Sequence, residues 1–500
     1  MTTSEDLLAA PVEDCRAWLA ARPAPAPGAD DDPTAGRWVL DPSTATPLGW
    51  VAFDDTASID ATVARARAAF GPDGDWATTS RRDRARALHA VAATIRAHAP
   101  ELAALQSLEN GKTYRESLLD DLPDTADVFD YYAGWTDKLH GETNPVDGTA
   151  LNYTVREPVG VCALVVPWNF PLLLAAWKMA PALAMGNAAI VKPSEFTPLS
   201  TLRMVELIAT SGALPAELLQ VVVGGAATGE GLVTHPGVDK VSFTGSTGVG
   251  RAVLGSVART NLATVTLELG GNAPLVVLED ATDLDAIVDR AATVLFSQKG
   301  EKCTEPARFI VHRSLHAKFV AGMVARAEAL VPGDPFDPTT TQGPQCTRAQ
   351  FDKVLGLIER AVDAGASVAC GGLADPLHEE TGGWYVQATV LDGITADNPV
   401  DGIEIFGPVA KVLTFDTDDE AVALANGTEH GLAAGVYGGD LARAQRFAGR
   451  LDAGQVFVNR YGQYDFAAPF GGFKGSGWGK ELGLASLDAY TRRKSVWIEL

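Results

Sequence analysis

The chain has 500 residues, too long for one ordinary hydrophobic core, so two or three domains are expected, and 46% hydrophobic residues are ample to fill them. Forty basic against 63 acidic side chains leave a formal net charge of −23, which argues against nucleic acid or an anionic membrane as a partner. The five cysteines, Cys15, Cys162, Cys303, Cys346 and Cys370, are scattered and never form a C-x-x-C pair, unlike a disulfide framework or a zinc site, and fit a reducing cytoplasm.

Taken in chain order, Ala21 to Gly36 holds Pro23, Pro25, Pro27, Pro33 and the acid run Asp30 to Asp32, so residues 1–36 are expected to form a flexible tail. The start carries Glu5 and Asp6 rather than a basic segment before an apolar one, which is unlike a secretion signal. Helical spacing follows in Ile59, Val63, Ala66 and Phe70 and again in Leu88, Ala92 and Ile95, predicting surface helices capped by Ser58 and Ser80. From Gly160 the pattern becomes short continuous apolar runs: Val161 to Val166, Ala188 to Val191, Val221 to Val223, Val241 to Phe243, Val265 to Leu269. Continuous rather than alternating runs mean burial on both faces, hence an α/β fold with a doubly wound parallel sheet. Leu275 to Leu278, Phe309 to Val311 and the helical stretch Leu315 to Leu330 predict a second α/β unit. No run approaches the roughly 20 apolar residues of a membrane span, so no membrane association is expected.

Several residues can carry chemistry. Cys303 lies in Gln298-Lys-Gly-Glu-Lys-Cys303, where basic neighbours can lower a thiol pKa and yield a nucleophilic thiolate; taken alone it reads more readily as a small buried hydrophobe. Glu268 stands at the end of an apolar strand before Gly270 and Gly271, where a carboxylate is either paired or functional. Asn169 follows Pro167 and Trp168 at the carboxyl end of the first apolar strand, where an amide can hold an oxyanion or simply form a turn. Thr244-Gly245-Ser246-Thr-Gly248 closes a strand and opens a helix, a place that receives phosphate, although the order is not the dinucleotide fingerprint. Lys192 and Glu195, just beyond another strand, can reach ribose hydroxyls or belong to a solvated loop. No metal-ligand pattern is present.

Together these segments resemble the aldehyde dehydrogenase superfamily, whose motifs occur here in order from about Trp38 to the C-terminus. They are Pro167-Trp-Asn169-Phe-Pro, Lys192-Pro-Ser-Glu195, Phe243-Thr-Gly-Ser-Thr-x-x-Gly250, Glu268-Leu-Gly-Gly271, Cys303, Glu404-Ile-Phe406-Gly-Pro408 and Pro469-Phe-Gly-Gly-Phe-Lys474-x-Ser-Gly. The resemblance implies that Cys303 attacks an aldehyde, Asn169 and the Cys303 N–H hold the oxyanion, and Glu268 activates the water that hydrolyses the thioester. It implies NAD as cofactor: Pro167 and Trp168 near its binding cleft, Lys192 and Glu195 on the adenosine ribose, Gly245 and Ser246 on the pyrophosphate, Glu404 and Phe406 on the nicotinamide end. Glu195 would repel a 2′-phosphate, so NAD is expected over NADP. One departure stands next to the nucleophile: Glu301 occupies a position where Gln is common, with an undetermined effect on the thiol.

The implied division is a cofactor domain of residues 37–138 and 159–270, a catalytic domain of 271–469, and oligomerisation strands in 139–158 and 486–500, giving a homodimer or homotetramer. Phe170, Leu174, Trp177, Tyr461, Phe466 and Phe470 take the positions of the substrate tunnel and favour an apolar or aromatic aldehyde, whereas Glu301 and Asp465 would favour a cationic aminoaldehyde. The rivals are an acylating enzyme that passes the thioester to coenzyme A, which leaves Glu268 without a task, a cysteine hydrolase, which needs a histidine beside Cys303, and a catalytically silent protein.

Overall fold

A computed structural model describes residues 11–25, 32–71 and 74–500. The strands, in chain order, are β1 (Gly36–Asp41), β2 (Thr46–Ala52), β3 (Thr143–Asn144), β4 (Ala150–Pro158), β5 (Val161–Val165), β6 (Ala188–Lys192), β7 (Leu219–Val221), β8 (Lys240–Thr244) and β9 (Thr264–Glu268). They continue with β10 (Pro274–Val277), β11 (Arg308–His312), β12 (Ser367–Cys370), β13 (Thr389–Asp392), β14 (Val409–Phe415), β15 (Ala433–Tyr437), β16 (Gln455–Val458), β17 (Gly477–Trp478) and β18 (Thr491–Glu499).

The first large sheet runs β17-β9-β8-β5-β6-β7 and is parallel except for β17. The second runs β12-β13-β14-β11-β10-β15-β16 and is parallel except for β12. In the first, β6 and β7 step away to one side of β5 before the chain returns to its other side with β8; in the second, β11 lies beside β10, the chain passes to the edge at β12 and comes back through β13 and β14, and only then crosses to the other side of β10 with β15, so the order reverses between β5 and β8 and again between β10 and β15. Side chains explain the parallel pairing: β6 and β10 are buried at every residue and β5 at all but Val165. A third sheet, β18-β4-β3, is antiparallel and pairs the two segments expected to serve oligomerisation with each other.

Helices cover the first sheet. Pro171–Ala184 opens on a proline, is buried at every residue and ends in the turn Met185-Gly186-Asn187, where Gly186 takes φ +91°. A side chain there would collide with the Arg84 guanidinium, only 2.9 Å from the position of a Cβ. Arg81–Ala97 buries Leu88, Val91, Ala92 and Ile95 and is capped by Ser80, which accepts from the Asp83 N–H. Asp55 rather than Ser58 caps Thr56–Phe70: its carboxylate accepts from the Ser58 N–H at 2.8 Å, because the helix begins three residues earlier than the apolar spacing indicates.

The expected flexible tail is also corrected. Val12–Ala20 is a helix whose Cys15 and Leu19, four residues apart, are buried, with the Cys15 thiol against the Glu101 carbonyl. Two apolar residues on one face suffice to dock it, a signal hidden beside the proline-rich stretch. Residues 1–10 and 26–31 of that expected tail lie outside the described residues. The strand expected at Val221 to Val223 is β7, two residues earlier. Among the described residues no helix is long and apolar enough to cross a membrane.

Candidate active site

Four strands of the first sheet deliver residues from their carboxyl ends. Beyond β5 the chain passes through Pro167, Trp168 and Asn169 into helix Pro171–Ala184, and β6 ends on Lys192. Beyond β8, Gly245 and Ser246 turn into helix Thr247–Arg259, where Ser246 accepts from the Val249 N–H at 3.4 Å. β9 ends on Glu268. The second sheet contributes from the opposite ends of its strands: Cys303 lies in the loop entering β11, and Glu404 and Phe406 lie in the loop entering β14. Members of both sets line a cavity of about 190 Å3 at the β5/β8 reversal, among them Asn169, Gly245, Ser246, Cys303, Glu404 and Phe406, whereas Lys192 and Glu268 lie outside its lining. This is where an open α/β sheet is expected to bind a ligand.

The Gly270-Gly271 pair is required by close approach. A Cβ at Gly270 would lie 2.4 Å from a Glu404 carboxylate oxygen, and one at Gly271 2.0 Å from the Cys303 carbonyl. Without side chains, Glu404 Oε1 can accept from the Gly271 N–H at 2.7 Å. Burial first, opposed by that hydrogen bond, pushes the Glu404 carboxyl up to about 7. Phe406 takes φ +62°, presents its ring edge-on to Trp168 at 5.4 Å, and has its carbonyl held by Gln350 Nε2 at 2.6 Å.

The Cys303 thiol is held above its ordinary pKa by burial, then by the Glu404 and Glu268 carboxyls. Basic neighbours therefore do not activate it, contrary to the sequence expectation. The Lys302 ammonium turns away, to the Val294 carbonyl and to Ser297 Oγ at 2.6 Å. Glu268 is 4% exposed, neither of its carboxylate oxygens has a hydrogen-bond partner, and burial, reinforced by Glu481, holds its pKa well above the carboxylate range. Lys178 and Lys480 oppose that shift. Lys178, fully buried, bonds to Glu481 and to Ser242 Oγ at 3.1 Å. Lys178 and Glu481 were not singled out from the sequence, although one signal was available: a lysine in the otherwise apolar helix PLLLAAWKMAPALA.

Asn169 Nδ2 donates to the Glu301 carbonyl at 2.9 Å, which fixes the amide plane at the cavity wall. The Glu301 side chain faces elsewhere: one oxygen stands 2.8 Å from Lys299 Nζ, the other accepts from the Cys346 N–H at 2.9 Å, and both members of the ion pair are 1% exposed. Glu301 is therefore no acid of the substrate path, and its part in favouring a cationic aldehyde falls away. The loop before the nucleophile is strained, with φ of +54° at Gln298, +62° at Lys299 and +69° at Gly300. For the two residues that are not glycine this conformation costs about 1–2 kcal/mol each.

At the two residues expected to meet the adenosine ribose, Lys192 is 5% exposed with its ammonium 3.9 Å from Glu195, and Glu195 Oε1 lies 4.0 Å from where a Gly225 Cβ would be. A capped helix start, a lysine and acid beside a glycine, and a carboxyl at the thiol end fit an extended dinucleotide. Gln350 and Lys353 also line the cavity and carried no sequence signal.

Of the six expected tunnel residues, Leu174 lines the cavity with Cys303. Trp177 packs edge-on against Tyr464 at 5.1 Å and Phe470 at 5.0 Å, and Phe466 lies 6.2 Å from the Tyr464 ring. Phe170 carries the Lys112 ammonium 4.0 Å above its ring. Tyr461 is a correction: fully buried, it packs on Phe457 at 5.0 Å and donates its hydroxyl to the Thr304 carbonyl at 3.0 Å. It belongs to the core beneath the nucleophile loop, since its phenol finds a backbone acceptor there. Asp465 accepts from the Ala467 N–H in a local turn.

The model of the aldehyde dehydrogenase family matches residues 30–496. The chain is 42% identical over 462 residues to a mitochondrial aldehyde dehydrogenase of Sus scrofa, covering 92% of this chain and 88% of that one. It superposes on an NAD+ complex of aldehyde dehydrogenase from Bacillus cereus with TM-score 0.90 and 39% identity over 93% of each chain. A gamma-glutamyl-gamma-aminobutyraldehyde dehydrogenase from Burkholderia cenocepacia gives TM-score 0.91 at 39% identity, covering 98% of this chain and 99% of that one. With thiol, amide and buried carboxyls assembled at the sheet reversal, and with identity of this extent along the chain, the protein belongs to the aldehyde dehydrogenase family.

Proposed function

We propose that the protein oxidises an aldehyde to its carboxylic acid with NAD+, using Cys303 as nucleophile, Asn169 as oxyanion donor and Glu268 as base. The observation that carries this reading is one cavity at the β5/β8 reversal holding Cys303 and Asn169, with Glu268 in electrostatic reach of the thiol.

The Cys303 thiol gives its proton to water, its sulfur bonds to the carbonyl carbon as the C=O π bond opens, and the charge that forms on oxygen meets the Asn169 amide and the Cys303 N–H. Bound NAD+ supplies the hydride acceptor; Lys192 and Glu195 suit its adenosine ribose, Gly245 and Ser246 its pyrophosphate, Glu404 and Phe406 its nicotinamide end. Once the carbon is oxidised to the thioester level, Glu268 takes a proton from water, the water oxygen bonds to the carbonyl carbon, and the sulfur leaves. A base without hydrogen-bond partners accepts a proton more readily than a solvated one. Among the described residues no histidine lines the cavity, which disfavours a cysteine hydrolase.

Leu174, Trp177, Phe470, Tyr464 and Phe466 favour an apolar or aromatic aldehyde. Glu195 favours NAD+ over NADP+. Five free cysteines fit a reducing compartment, and we assign the cytoplasm. β18 exposes Trp497 and Ile498, Leu500 is exposed just beyond it, and β16 ends the second sheet, a pairing that suits a homodimer or homotetramer; a monomer in light scattering at micromolar concentration would contradict it. The main test is NADH formation across a panel of aliphatic, aromatic and amino aldehydes, with kcat/KM compared for both cofactors. Apolar aldehydes turning over with NAD+ preferred are the expected result; no NADH from any aldehyde overturns the reading.

A further inference from the structure

We propose that the buried Lys299–Glu301 ion pair is a positioning element for this reaction, locking the left-handed loop before the nucleophile and thereby aiming the Asn169 amide. The inference rests on the reading of Cys303 as nucleophile and Asn169 as oxyanion donor.

Gln298 and Lys299 both adopt a left-handed backbone that their own side chains disfavour, so contacts made elsewhere must hold it. Lys299 Nζ donates to the Asn110 carbonyl at 2.6 Å and to Asn110 Oδ1 at 3.0 Å, and stands 2.8 Å from Glu301 Oε2. Asn110 Nδ2 in turn donates to the carbonyl of Trp168 at 2.8 Å. From the other side, the Glu301 carbonyl receives the Asn169 amide at 2.9 Å. Two tethers thus start from the ion pair and end on consecutive residues, 168 and 169. One amide hydrogen of Asn169 is bound by Glu301, which leaves the other for the substrate oxygen.

The charge is specific to the pair. A neutral glutamine at 301 would accept from the Cys346 N–H equally well, so the carboxylate answers chiefly to Lys299, and the neighbouring Lys112 is already neutralised by Asp121 at 2.6 Å. Removing one charge strands the other in a site that is 1% exposed, whereas removing both does not.

The test compares Glu301→Gln, Lys299→Gln and the double variant in full-length enzyme with NAD+ and a turned-over aldehyde. The burst rate of NADH is normalised to titratable Cys303 thiol. Each single change is expected to slow the burst by roughly tenfold to a hundredfold while KM for the aldehyde holds, and the double variant to recover most of the loss. Should a single variant fail to fold, the double decides: a burst near the parent rate supports a charge-coupled pair. A burst at the parent rate in both singles, or a double variant as slow as its folded singles, or as inactive as singles that do not fold, overturns the proposal. Cys303→Ala separates the two readings. If it still forms NADH, the nucleophile assignment is wrong; if it is silent while both singles burst normally, only the role of the ion pair is lost.

Discussion

The two large sheets are built alike, yet they serve the site from opposite ends. The first follows the rule for open parallel sheets, with Asn169, Lys192, Ser246 and Glu268 all at or beyond the carboxyl ends of strands. The second has its own reversal between β10 and β15, and a larger cavity there, about 490 Å3 against about 190 Å3, lined by Asp283, Arg290, Tyr437, Asn459 and Arg460. Its contributions to the proposed site come from elsewhere: Cys303 and Glu404 stand in loops entering β11 and β14. Cavity size therefore does not mark the chemistry. What marks the proposed site is the place where carboxyl ends of one sheet face amino ends of the other, so that the Cys303 thiol and the Glu268 carboxyl arrive from separate units.

Removing the nucleophile tests this contrast most severely. Cys303→Ala is expected to lose NADH formation by a factor of roughly 10⁴ or more, measured at 340 nm, since all later steps need the sulfur. Next, Glu268→Gln should release about one equivalent of NADH per site and then stall at the acyl-enzyme, with steady-state turnover down roughly 10²–10⁴-fold in stopped-flow and steady-state assays. Full-speed turnover by that variant would remove the first sheet's carboxylate from the mechanism. In the parent enzyme the pKa of Glu268 lies well above the carboxylate range, so its proton is kept to higher pH and the basic form is gained late. kcat limited by deacylation should accordingly rise with pH through and above neutrality rather than levelling off near pH 5; an early plateau would contradict the burial argument.

A smaller effect concerns the thiol itself. Because burial, Glu404 and Glu268 all raise its pKa, Cys303 should alkylate slowly at pH 7 without cofactor and faster as the pH rises. Glu404→Gln removes one of the two carboxyls and should speed labelling at fixed pH severalfold; slower labelling would mean that the carboxyl does not face the sulfur. The smallest expected effect lies at the second sheet's reversal. Arg460→Ala, an exposed change in the larger cavity, should leave kcat/KM within about twofold and stability within about 0.5 kcal/mol by thermal melt. A large loss there would give the second reversal a role in catalysis.

Much of this arrangement was legible beforehand. Continuous apolar runs located most strands, because a strand buried on both faces has no polar alternation to hide it. The motif residues Asn169, Glu268, Cys303 and Glu404 were named by order and type, and tertiary structure brought them together. Where reading failed, the missing information was non-local. Lys178 and Glu481 meet across 303 residues, so no window of sequence contains both. Tyr461 looked like a tunnel residue because an aromatic side chain near a motif carries no label saying which way it points, and only the Thr304 carbonyl decides that it points into the core.

The sequence alone determined the succession of apolar strands and helices, the motif residues on which the resemblance rests and the absence of strong positive charge, since each depends on residue type and order along the chain. Tertiary structure decided the electrostatic state of those same side chains. Whether a lysine beside Cys303 lowers the thiol pKa depends on where its ammonium lands, and Lys302 lands on Val294 and Ser297 while burial and the charges of Glu404 and Glu268 raise it. Desolvation and Coulomb interaction act through space, so the chain fixes which groups exist and the fold fixes which of them feel one another.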